Sequence, residues 1–88
     1  MANPVDIETV PGEWTLVAEN VTYGLIFPVI SEIGYYHTYR LTGEAPPQNQ
    51  EEGIPININM VKIGSTVPID VYIYCVSEKN TGKVKVCL

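Results

Sequence analysis

From Val67 to Cys75 every second residue is apolar: Val67, Ile69, Val71, Ile73 and Cys75 alternate with Pro68, Asp70, Tyr72 and Tyr74. In an extended chain a repeat of two sends one set to one face and the other set to the opposite face. A helix would scatter the same five residues around its circumference. This stretch is therefore predicted to be a strand with one buried face. The rest of the chain follows it. Trp14, Leu16 and Ala18 alternate with Thr15, Val17 and Glu19, and a second strand, Val21, Tyr23, Leu25 and Phe27, ends at Pro28. Tyr35, His37, Tyr39 and Leu41 alternate with Tyr36, Thr38, Arg40 and Thr42. Ile54, Ile56, Ile58 and Met60 form another row, with Pro55 at a strand start or edge because proline cannot donate to a ladder. Val84, Val86 and Leu88 close the chain opposite Lys83, Lys85 and Cys87.

The breaks are equally readable. Residues 43–53, GEAPPQNQEEG, hold two prolines, two glycines and three acids without apolar periodicity, so they are a long loop. A loop of that length either binds something or crosses between layers as a solvated connection. Residues 29–34 read as loop, Gly64-Ser65-Thr66 as a turn, and EKNTG at 78–82 as the turn of a last hairpin. About six strands at this spacing, with no helical period, predict an all-β fold, a small antiparallel sandwich or barrel. Residues 1–12, with Pro4 and Pro11, are predicted to be an extended N-terminal arm, and 13–88 the single domain. The full chain has 88 residues, and a domain so small buries only about 60–65% of its unfolded surface. Partners commonly supply the missing burial.

Charge narrows the function. Net charge is −5, and the five basic residues are Arg40, Lys62, Lys79, Lys83 and Lys85. Nucleic-acid binding needs clustered cations. The one cluster, Lys79, Lys83 and Lys85, instead reads as a charged sheet edge that resists stray strand pairing. No basic and apolar leader opens the chain and no apolar run reaches the ~18 residues of a span, so synthesis in a cytosol and no membrane partner are expected. Without a secretion signal the Asn20-Val21-Thr22 glycosylation triplet is given no role. With only 17% charged residues, the chain is either a self-associating protein or a β domain whose polar surface is Thr, Asn and Tyr.

No catalytic constellation is visible. The one histidine, His37, sits inside an aromatic strand, where a packed side chain is the ordinary reading. Glu51 and Glu52 are neighbours in a loop, whereas acid–base pairs need fixed placement across a substrate. Asp70 is read as a cross-strand hydrogen-bond partner or a ligand contact. Cys75 should point inward with the valines and Cys87 outward with the lysines, on opposite faces of one hairpin, so both thiols stay unbridged. Two cysteines and one histidine without C-x-x-C spacing give no zinc site, and no cofactor is expected. Six tyrosines are either good strand residues or, with Trp14 and Arg40, an aromatic contact surface for protein or sugar. The predicted contact residues are Trp14, Tyr35, Tyr36, Tyr39, Arg40, Tyr72 and Tyr74.

A tryptophan opens the first strand in EWTLVAENVTYG, the central loop runs TGEAPPQNQEEGI, and the chain ends GSTVPIDVYIYCVSEKNTGKVKV. In this order the chain resembles the small β-sandwich structural proteins of tailed bacteriophage virions, the head-decoration and fibre-adaptor type. The resemblance implies a non-enzymatic virion component, made in the bacterial cytoplasm. It would assemble with copies of itself, as a trimer or larger ring, and with a larger capsid or tail protein. The alternative from the residues is a carbohydrate-binding or adhesion module, with the tyrosines stacking on a host glycan and Asp70, Asn57 and Asn59 hydrogen-bonding to it.

Overall fold

A computed structural model describes residues 4–28, 34–56, 60–76 and 81–88. The strands are β1 (Val5–Thr9), β2 (Trp14–Pro28), β3 (Tyr35–Leu41), β4 (Ile54–Pro55), β5 (Val61–Cys75) and β6 (Gly82–Cys87), with one 3-10 turn at Gln50–Glu52. They form one six-stranded sheet in the order β1-β6-β2-β5-β3-β4. Every pairing between strands is antiparallel. The all-β architecture predicted from the alternation is the one found.

Two long strands bend this sheet around a single core. β2 and β5 pair along most of their length, with register shifts between Leu16 and Ala18, Ala18 and Val21, and Val21 and Tyr23. At the last shift the pairing passes from Val21↔Ile69 to Tyr23↔Gly64, so β5 uses several more residues than β2. Asn20 sits in the left-handed region at φ 56°, which asparagine tolerates better than most residues. Asp70, 5% exposed, fixes this bulge. Its Oδ1 accepts the Asn20 N–H at 2.9 Å and the Thr42 hydroxyl at 3.0 Å. Bulges bend a strand and let it pass from one layer to another. One half of β2 and β5 thus lies beside β3 and β4, and the other half beside β6 and β1. Both halves turn apolar side chains inward: Val71, Ile73 and Cys75 from one, Ile26, Ile63, Val84 and Val86 from the other, in one cluster. Burying each such Ile or Val fully contributes about 1.5–3 kcal/mol.

The two halves also meet at one end. Pro11 bridges Cys75 in parallel, and the Gly12 N–H donates to the Cys75 carbonyl at 2.9 Å. The Tyr35 hydroxyl accepts the Lys83 N–H at 3.2 Å. Burial pushes the Tyr35 phenol above its ordinary pKa. A Cβ on Gly82 would fall 2.5 Å from Thr9 Oγ1 and 2.6 Å from the Tyr35 hydroxyl, so only glycine fits this closure.

Several local readings change in this context. Of the segment predicted as an arm, residues 1–3 lie outside the described residues, and Val5–Thr9 forms β1, laid along β6 of the same sheet with Asp6 opposite Lys85 and Glu8 opposite Lys83. The Lys85–Asp6 ion pair spans 3.9 Å. Gly64-Ser65-Thr66 is not a turn: β5 runs through it, because β2 carries the ladder past the bulge. Pro55 lies on the edge strand as predicted. The row from Ile54 to Met60 is divided: β4 ends at Pro55, Val61 already belongs to β5, and Asn57, Ile58 and Asn59 lie outside the described residues. The final pair of strands is not a hairpin, since β2 lies between β5 and β6. Cys75 is buried and Cys87 half-buried, with no disulfide between them. The predicted inward Cys75 is correct, but it is the intervening strand that keeps the two thiols apart.

Candidate functional site

The outer face of β2, β5, β3 and β4 carries the aromatic residues in cross-strand register. Trp14 stands opposite Tyr74, Tyr74 opposite Tyr36, and Tyr36 opposite Pro55. Trp14 and Tyr74 meet edge to face with ring centres 5.3 Å apart, and Tyr36 and Tyr74 at 6.5 Å. The next row is Leu16, Tyr72 and Thr38.

The loop 43–53 folds back over this face as a strap. The Trp14 indole N–H donates to the Asn49 carbonyl at 3.0 Å, and the Thr38 hydroxyl to the Glu52 carbonyl at 3.0 Å. Gly53 lies so close that a Cβ there would sit 2.5 Å from Trp14 Cη2 and 3.0 Å from Tyr36 Cβ. Pro47 is buried. The Glu52 carboxylate ties the strap to itself and to the sheet. It accepts the N–H groups of Gln48 at 2.6 Å and Asn49 at 2.7 Å, and pairs with Arg40 at 2.5 Å. The backbone donors of Asn49 and Gln48 first, and then the Arg40 guanidinium, hold its pKa below the usual carboxylate value. Neither reading of this loop, a binding role or a solvated crossover between layers, included this cover: its hydrogen bonds lay it over the outer face of the sheet.

The predicted contact residues are thereby divided. Trp14, Tyr36 and Tyr74 are half-buried together beneath the strap, and Arg40 is held by Glu52 and by the Tyr39 carbonyl at 2.9 Å. Tyr35, 4% exposed, belongs to the core, and Tyr72, 7% exposed, is covered, so neither offers a contact surface. Tyr39 packs against the core cluster. The division follows from the pleat: Tyr35, His37 and Tyr39 face inward while Tyr36, Thr38 and Arg40 face outward. His37 lies edge to face with Tyr39 at 5.3 Å, and its Nδ1 is buried with no hydrogen-bond partner among the described residues. Burial lowers its pKa. Asp70 is committed to Asn20 and Thr42, which is the structural role of the two considered for it.

Two open grooves lie against the strap. One, of 540 Å³, is lined by Tyr36, Asn49, Gln50 and Glu51. The other, of 230 Å³, is bounded by Trp14 and Tyr74 on one side and by Pro46, Pro47 and Gln48 on the other, with Glu13 at its margin. These linings offer aromatic edges, amides and carboxylates, which suit holding a partner's side chain. Among the described residues no group of three His, Cys, Asp or Glu gathers to hold a metal ion, and no helix is long and apolar enough to cross a membrane.

A second surface was missed by reading the aromatic strands alone. On the other half of the sheet, Leu25 stands opposite Cys87 and Lys62, and Phe27 opposite Lys85. Tyr23 stands opposite Gly64, which has no side chain to cover it, and Tyr23 is 57% exposed. The signal lay in the alternation Tyr23, Leu25, Phe27, but only the pairing shows that this row faces outward while Gly24 and Ile26 face the core. Comparison with protein-family models, curated proteins and solved structures finds no match to this chain.

Proposed function

We propose that the chain is a non-enzymatic virion structural protein, of capsid-decoration or tail and fibre-adaptor type. It acts by assembling with copies of itself and with a larger capsid or tail protein, after synthesis in the bacterial host. The virion setting rests on the resemblance in the order of strands and loops. The assembly role rests on one observation: the row Tyr23, Leu25 and Phe27 lies on the outer face of a sheet whose inner face already holds the core. Tyr23 is exposed with Leu25 and Phe27 half-buried beside it, and an apolar row outside the core is a surface that a protein contact can cover. A domain of this size gains stability by mass action when such a contact forms. The glycan-binding alternative is weaker, because the carboxylate it relied on, Asp70, is buried and already hydrogen-bonded.

Light scattering of the purified protein, from dilute to millimolar concentration, tests the self-assembly. A mass that rises to a stable trimer or larger ring is expected. A mass that stays at the 9.7 kDa of the monomer throughout would refute it.

A further inference from the structure

The two outer faces of this bent sheet differ in charge. Lys62, Lys83 and Lys85, three of the chain's five basic residues, lie on the face that carries Tyr23, Leu25 and Phe27. Glu8 opposes Lys83 and Asp6 pairs with Lys85, whereas Lys62 stands opposite Leu25. The strap face is acidic: Glu13, Glu44 and Glu51 are exposed there, and the one cation on its sheet rows, Arg40, is already paired with Glu52. Both halves of the sheet turn their inner faces to one core, so these outer faces look away from each other. A single copy therefore cannot bring them together.

We propose that copies of this chain associate head to tail, the Tyr23–Leu25–Phe27 face of one seating on the acidic strap of the next. Tyr23 enters the 540 Å³ groove lined by Tyr36, Asn49, Gln50 and Glu51, and Lys62 meets the Glu51 carboxylate. The inference rests on the self-assembly reading and specifies its interface. Charge complementarity selects the occupant: a chain of net charge −5 repels its own copies, and the unopposed Lys62 of one copy is attracted to the acidic strap of the next. Joining two different surfaces makes the contact heterologous, so it propagates into a ring or an open filament instead of stopping at a two-fold dimer.

Two variants separate the surfaces. One carries Tyr23→Ser with Lys62→Ser, the other Glu13→Lys with Glu51→Lys; all four residues are exposed. Melting and Trp14 fluorescence that match those of the wild type at a dilution where it is monomeric establish that each variant is folded. Sedimentation should then show self-association weakened at least about tenfold in each. Mixing the two should yield a 1:1 complex of twice the monomer mass and nothing larger, because one intact face and one intact strap remain. The wild-type assembly should also weaken as salt rises. Wild-type protein that assembles while both variants assemble equally well would overturn the head-to-tail interface and leave the assembly reading standing. Two disrupted variants that fail to pair would likewise overturn it, pointing to a two-fold contact. A wild-type protein that stays monomeric would overturn both readings.

Discussion

Replacing Gly53 by alanine tests the seating of the strap. Its backbone is extended at φ −105°, so alanine meets no conformational barrier, and the cost is one of space. The new Cβ would lie 2.5 Å from Trp14 Cη2, against a carbon–carbon optimum of about 3.5–4.0 Å. Either the indole or the strap must retreat by about 1 Å. The indole is hemmed in by Tyr74 and by its bond to Asn49. Overpacking of this kind costs about 1–3 kcal/mol. Loss of the indole hydrogen bond adds about 0.5–1.5 kcal/mol. The smaller conformational freedom of unfolded alanine returns about 0.4–1 kcal/mol. The expected net loss is about 1–3 kcal/mol, and each kcal/mol lowers Tm by about 4–8 °C in a domain of this size. Trp14 is the only tryptophan, so its emission reports the strap directly, and a red shift should accompany the lower Tm. Gly64→Ala is the matched control: nothing lies within 4 Å of its Cβ position, and the same chemical change there should stabilise the protein by about 0.4–1 kcal/mol. A Gly53→Ala protein that melts at the wild-type temperature with unshifted emission would refute the reasoning.

Other perturbations have defined directions. Asp70→Ala leaves the Asn20 N–H and the Thr42 hydroxyl without their acceptor, and should cost about 1–3 kcal/mol by chemical denaturation; a neutral result would mean that the bulge does not need the carboxylate. Burial lowers the His37 pKa from its ordinary 6.5, so the folded state binds the proton less readily than the unfolded one. Stability should be full above that value and fall as the pH drops from it toward the lower folded pKa, and His37→Gln should remove this slope in melts across the range. Glu52 has a lowered pKa, so its contribution is present above the ordinary carboxylate value and lost as the pH falls through the folded one. Trp14 emission should report the strap loosening under acid, and Glu52→Gln should loosen it already at neutral pH. A thiol reagent should modify the half-buried Cys87 in the native protein and reach the buried Cys75 only on unfolding, which mass spectrometry of the labelled peptides would check.

Alternation alone made the chain all-β, turned Val71, Ile73 and Cys75 to the core, and marked 43–53 as a loop and Pro55 as an edge residue. These are properties of residues one or two positions apart, and a local pattern carries them. The choice of strand partners depends on contacts between residues distant in the chain. Nothing near Gly82–Cys87 says that it pairs with β2 and β1 instead of β5. The breaks that looked like strand ends, at Asn20 and at Gly64-Ser65-Thr66, became bulges because a partner strand and the Asp70 carboxylate supplied the hydrogen bonds that carry β2 and β5 through them. A bulge also shifts the alternation by one residue, which decided that Tyr23, Leu25 and Phe27 face outward. The fate of the aromatic face was decided at longer range still, because the loop that covers it is held by Trp14, 35 residues away from Asn49. Sequence determined which segments extend and which side chains share a face; tertiary structure decided which faces were covered, since that depends on what the rest of the chain brings to them.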